Sequence, residues 1–99
     1  MAFLAFPSAA MADQMVASWY EMGHTTANGE AYKPDGLTCA HKYLPFGTKL
    51  RVTYRNRSAD CTVNDRGPFV PGRHLDMSRG MAKALHFEGV HSVEVQVLY

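Results

Sequence analysis

Cysteine, tryptophan and charge are all scarce in this chain, which has two Cys, one Trp and 19% charged residues. Two cysteines without a matching Cys/His set are too few for a structural zinc site. The net charge is only +1 at pH 7 with histidines neutral. That excludes an electrostatic case for nucleic acid or for an anionic membrane surface. No apolar run is long enough to span a bilayer. No Gly-x-Ser-x-Gly elbow is present. Gly80 and Gly89 lack the pattern of a phosphate-cradling loop. The histidines are His24, His41, His74, His86 and His91, and no pair has the spacing of a helical metal site. No metal and no organic cofactor are expected.

What is present fits one small globular domain: 99 residues, 46% of them hydrophobic. A domain of this size buries a limited share of its surface and gains from a covalent staple. Residues 1–12 stand apart from it. Met1-Ala2-Phe3-Leu4-Ala5-Phe6 is apolar, and Ala10-Met11-Ala12 is a small-x-small cleavage signature before Asp13. The basic stretch that usually opens a signal peptide is missing, so the signal is degenerate or starts upstream of Met1. Export to the periplasm or the exterior is expected, with the domain occupying 13–99. No Cys follows the cleavage signature, so nothing supports lipid attachment. Cys39 and Cys61, both in strand-like segments, are then expected to form one disulfide. The alternative is a pair of buried thiols.

Hydrophobic alternation predicts strands over Met15–Tyr20, Leu37–His41, Lys49–Arg55, Ala59–Val63 and Ser92–Leu98. Asn56-Arg57-Ser58 is expected to turn the Lys49–Arg55 strand into a hairpin. Ser78 is a helix N-cap, Met81, Ala84 and Leu85 share one helical face, and Gly89 is the expected stop. About six short strands with Gly/Pro turns and one helix argue for a closed barrel.

The stretch Thr62 to Val70 organises the candidate chemistry. Asn64, Asp65 and Arg66 lie where a strand breaks into a Gly67-Pro68 turn, a place where a scaffold can fix side chains around a ligand. The plainer alternative is an Asp65 that caps the turn and pairs with Arg66. Glu30, after Asn28-Gly29, and Asp76, just before the N-cap Ser78, are further candidate carboxylates. Each also has a local structural reading as a turn or helix-start residue. His41 ends a strand. Trp19 and Tyr20 together form a possible sugar platform, with a core role for Trp19 equally open.

Six ordered motifs carry a family resemblance. They are Ala17-Ser18-Trp19-Tyr20, Thr26-Ala27-Asn28-Gly29-Glu30, Leu37-Thr38-Cys39-Ala40-His41-Lys42, Leu44-Pro45-Phe46-Gly47-Thr48, Asn64-Asp65-Arg66-Gly67-Pro68-Phe69 and Gly72-Arg73-His74-Leu75-Asp76-Met77-Ser78. Together they resemble the rare lipoprotein A (RlpA) family of bacterial septal lytic transglycosylases. The resemblance covers essentially all of the chain after Asp13. It implies a six-stranded double-psi β-barrel, as in expansins, barwin and family-45 glycoside hydrolases. It also implies cleavage of peptidoglycan glycan strands between N-acetylmuramic acid and N-acetylglucosamine, without water and without a cofactor.

The family's functional acids and histidine map onto Glu30, His41 and Asp65. Asp76 matches an acid of the expansins and family-45 hydrolases, so two aspartates compete for one role. Asn28, Asn64, Arg66, Phe69, Trp19 and Tyr20 are the expected substrate contacts. Arg66 beside the Asp65 carboxylate would oppose its use as an acid, so Arg66 is expected to point away, to Asp76 or to a substrate carboxylate. The chain departs from the family at Glu21, where Gly is usual, and in the short Glu21–Thr25 loop. A monomer is expected, and no protein partner is indicated. Readings from other classes are an expansin-like, non-catalytic wall-loosening module and a secreted protein-binding barrel.

Overall fold

A computed structural model describes residues 12–20 and 25–99. Six strands close into a barrel in the order β1-β5-β2-β4-β3-β6. They are β1 (Asp13–Tyr20), β2 (Thr38–His41), β3 (Lys49–Tyr54), β4 (Arg57–Asp65), β5 (Leu75–Ser78) and β6 (His91–Leu98), with one helix, α1 (Arg79–Leu85), between the last two. This is the six-stranded double-psi β-barrel with one short helix that the sequence leads one to expect. Met1 to Met11, which hold most of the expected signal segment, and Glu21 to His24 lie outside the described residues.

Alternation builds the barrel. Ala17, Cys39, Leu50, Val52, Cys61, Val63, Leu75, Met77, Val93 and Val95 point inward and are buried. α1 closes one end with Met81, Ala82 and Leu85. Cys39 of β2 and Cys61 of β4 are joined by a disulfide inside this core. Ser78 caps α1 by accepting from the Met81 N–H, as expected. The helix ends earlier than Gly89, at His86, which takes the left-handed conformation at φ 53°. The β3–β4 hairpin turns at Arg55-Asn56, with Arg55 at φ 58°, one residue before the expected turn.

The loop before β2 is locked onto α1. Ser78 Oγ donates to the Gly36 carbonyl at 2.6 Å, and the Gly80 N–H donates to the Pro34 carbonyl at 2.7 Å. A Cβ on Gly80 would stand 2.6 Å from the Asp35 carbonyl oxygen, so only glycine lets the loop approach this closely. This lock fixes the start of β2, and β2 lies at the centre of the candidate site.

Candidate active site

β2 lies between β5 and β4, antiparallel to the first and parallel to the second. Ala40 of β2 pairs with Asp76 on one side and Asp65 on the other, and Asp76 pairs in turn with Ser18 of β1. Ser18, Asp76, Ala40 and Asp65 thus form one row across four strands, on the face opposite the core. The β2–β4 register shifts between Cys39 and Ala40, which leaves Asn64 without a partner in β2. A bulge of this kind re-aims side chains. Here it delivers Asn64 and Asp65 together to the groove, and β4 extends through Asp65, two residues beyond the strand predicted from sequence.

Asp65 is anchored by backbone. Its Oδ1 accepts from the Ala27 N–H and from the Arg66 N–H, both at 2.8 Å. The Arg66 guanidinium does turn away from the carboxylate, but to a different target from those expected. Its Nη1 donates to the carbonyls of His41 (3.2 Å) and Leu44 (2.9 Å), and its Cζ sits 4.0 Å from the centre of the Phe46 ring. Arg66 therefore ties the end of β2 to the following turn.

Asp76 is half-buried and accepts from Ser18 Oγ at 2.9 Å. Burial pushes its carboxyl above the ordinary range, helped by the nearby Asp65 charge and opposed by the Ser18 bond and Arg73. Glu30 behaves in the opposite way. Its Oε1 accepts from Asn28 Nδ2 (3.0 Å) and Asn64 Nδ2 (3.1 Å), and these donors hold it below the ordinary range. Asn28 also binds the turn it belongs to, since its Oδ1 accepts from Thr26 Oγ1 and from the Glu30 N–H. Glu30, Asn28 and Asn64 thus form one polar network beside Asp65.

The aromatic pair is divided. Trp19 follows the inward alternation of Met15 and Ala17 and packs against the core. It lines a cleft of ≈ 430 Å³ with Ala82, Lys83, His86 and Phe87 of the helix end. Tyr20 points to the other face and stacks on Tyr32, with ring centres 4.7 Å apart. Its hydroxyl is buried beside Asp65, without a well-formed hydrogen bond to it. Burial and the Asp65 charge push its phenol well above the ordinary range, so it stays protonated.

His41, one residue beyond Ala40, lines a different cleft, with Lys42, Tyr43 and His74. Its Nδ1 accepts from the N–H groups of Tyr43 (3.3 Å) and Leu44 (3.2 Å), which places its proton on Nε2. Burial, then the Arg66, His74 and Lys42 charges, lower its pKa and keep it neutral near pH 7. Phe69 lies 77% exposed beside Gly67. The structure therefore gathers Asp65, Asp76, Tyr20, Asn64, Asn28 and Glu30 into one cluster, and sets Trp19 and His41 in two separate clefts. Ser18 and Ala40 were not singled out from sequence; their register with the two aspartates appears only once the strands are paired.

Residues 12–97 match the family model described as lytic transglycolase. The chain belongs to this family. It is 46% identical over 90 residues to the "Probable endolytic peptidoglycan transglycosylase RlpA" of Synechocystis sp., a match covering 84% of this chain and 28% of that protein. It is 43% identical over 90 residues to the "Endolytic peptidoglycan transglycosylase RlpA" of Campylobacter jejuni, covering 84% of this chain and 33% of that protein. The chain therefore spans about a third or less of the length of these lytic transglycolase relatives. Among solved structures, the Streptomyces papain inhibitor superposes with a TM-score of 0.73 at 16% identity, over 90% of this chain and 96% of that one. At that identity the likeness shows the shared barrel alone.

Proposed function

We propose that this chain is the catalytic barrel of an endolytic peptidoglycan transglycosylase, with Asp65 as its single acid/base. One observation carries the reading: the register sets Asp65 and Asp76 on either side of a small Ala40, with Asp65 pinned through one oxygen by two backbone amides. The carboxylate is thus fixed in place through Oδ1. In the first step Asp65 protonates the glycosidic oxygen between N-acetylmuramic acid and N-acetylglucosamine, and the bond to C1 breaks. In the second, the carboxylate takes the proton of the muramic acid 6-hydroxyl as that oxygen attacks C1. Proton and bonds balance without water, and the product is a 1,6-anhydro sugar.

The other residues support this step. Asp76 supplies a second carboxylate on the same face, its own carboxyl raised by burial. Tyr20, stacked on Tyr32, stands beside Asp65. Glu30, ionised, orients Asn28 and Asn64. His41 is a neutral Nε2–H donor on the flank and serves substrate placement. The substrate is exported cell-wall glycan, so the protein acts outside the cytoplasm. β1 starts at Asp13, and cleavage after Ala12 would leave the barrel whole. The test is incubation of the mature barrel with purified sacculi. Soluble anhydro-muropeptides support the reading; binding of sacculi with no such product would favour the expansin-like alternative.

A further inference from the structure

A cleft of ≈ 290 Å³ opens between the start of β1 and the residues that follow β2. Gln14 and Met15 line it from β1, and Lys42, Tyr43 and His74 from the other side. The step assigned to Asp65 makes no use of Tyr43 or His74. His74 lies just before β5 and extends the contact of that strand with β1. Its N–H donates to the Val16 carbonyl at 2.9 Å, and its Nδ1 accepts from the Val16 N–H at 3.0 Å. A ring that accepts through Nδ1 carries its proton on Nε2. His74 is thus fixed through one nitrogen, and the other is a donor on an exposed residue at the cleft.

Tyr43 supplies a flat surface. Its ring is 77% exposed, which leaves an aromatic face in solvent. It is not a loose side chain. The ring meets His41 at 85° with centres 4.7 Å apart, and the Tyr43 N–H donates to His41 Nδ1 at 3.3 Å. An open, anchored ring of this kind can stack on the apolar face of a sugar. The position is also suitable. His74 lies two residues from Asp76, and Lys42 two residues from Ala40, so the cleft is about 6.6 Å along the strands from the row that holds both aspartates. That distance is comparable to the step from one sugar to the next in a glycan strand.

We propose that this cleft is a remote sugar subsite, which holds the glycan strand one residue outside the reacting pair. This rests on the transglycosylase reading above. Tyr43 stacks on the ring of the bound sugar. His74 Nε2–H and the Lys42 ammonium donate to its oxygens, while Gln14 and Met15 close the opposite side. His41 touches no sugar here, being 3% exposed; it fixes the Tyr43 ring. A strand cut away from its ends continues past the aspartates, and a hold on the next sugar resists sliding of the strand across Asp65.

The test is an NMR titration of isotope-labelled protein with the N-acetylglucosamine tetramer, on wild type, Tyr43→Ala, Tyr43→Phe and His74→Asn, with thermal melts as a fold control. In wild type the Tyr43 and His74 signals should shift together with that of Asp65, with one dissociation constant. Tyr43→Ala should weaken binding roughly three- to tenfold, the scale of one aromatic stack, and Tyr43→Phe should bind like wild type. His74→Asn keeps an oxygen to accept from the Val16 N–H but has no donor at the Nε2 position. It should weaken binding roughly two- to tenfold with an unchanged Tm. Tetramer that leaves the wild-type Tyr43 and His74 signals unmoved would overturn the subsite, and this holds even if a variant does not fold. So would a folded Tyr43→Ala that binds like wild type. Sacculus digestion by wild type separates the two readings. Anhydro-muropeptides with unmoved Tyr43 and His74 signals sink the subsite alone. Shifts at both residues without product leave the subsite standing and remove the enzyme.

Discussion

Asp65 and Asp76 face each other across Ala40, each held in register with it from a different strand. With neighbouring strands about 4.8 Å apart, their backbones are separated by about 10 Å. The methyl of Ala40 leaves the space between them to the two side chains and a substrate. The carboxylates differ in setting. Asp65 is bound by amides at the groove surface, whereas Asp76 is drawn in behind Ser18.

That difference gives a stability prediction for Asp76. Its folded pKa is raised above its ordinary value of 3.8, chiefly by burial. A carboxyl raised in this way contributes most at low pH, where both folded and unfolded forms are protonated. The contribution is lost as pH rises through the folded pKa. Asp76→Asn keeps the acceptor for Ser18 and cannot ionise. Its melting temperature should exceed wild type at pH 7 and match it at pH 3, while sacculus cleavage falls less than for Asp65→Asn. A lower melting temperature than wild type at pH 7 would refute the burial argument.

The disulfide between Cys39 and Cys61 closes a loop with a sequence separation of 22 across β2 and β4. In the chain-entropy model such a loop is worth about 3 kcal/mol. For a domain of this size that corresponds to a fall of roughly 15 °C in Tm on reduction. Scanning calorimetry with and without reductant measures it. Both sulfurs are joined in the disulfide, so unreduced native protein should resist alkylation. An unchanged Tm in reductant would show that the staple contributes nothing.

Trp19 and Tyr20 should respond differently to mutation because they occupy opposite faces of β1. Trp19→Ala removes a ring packed on the core and should lower stability by about 2–3 kcal/mol, less than for a fully buried ring. Cleavage per folded molecule should change little. Tyr20→Phe keeps the stack on Tyr32 and removes the hydroxyl beside Asp65; it should leave Tm within a few degrees while reducing cleavage several-fold. A stable Trp19→Ala that no longer binds sacculi would restore Trp19 to the groove.

The strands that could be read from sequence are those with one wet face. Lys49–Tyr54 and His91–Leu98 alternate because their outer residues meet water. β5 has no legible alternation: it is four residues long, and Asp76 and Ser78 on its outer side are covered by other parts of the chain. α1 ends before the expected Gly89 because His86, not glycine, takes the left-handed cap. Asp65, Glu30, Asn28 and Asn64 could be picked from motifs, but their grouping could not. The Asn64–Glu30 bond spans 34 residues, and the bulge that leaves Asn64 without a strand partner depends on pairing with β2.

The central claim is that Asp65 carries the proton. Asp65→Asn retains an oxygen to accept from the Ala27 and Arg66 amides, and changes little in shape. Loss of one general acid typically costs a factor of about 10²–10⁴ in rate. The direct measurement is the rate at which purified, folded Asp65→Asn releases anhydro-muropeptides from sacculi, beside wild type and Asp76→Asn. The account predicts a variant that binds sacculi like wild type, with release reduced at least about a hundredfold and well below that of Asp76→Asn. Near-normal release by Asp65→Asn, with a folded but inactive Asp76→Asn, would contradict it and move the proton to Asp76.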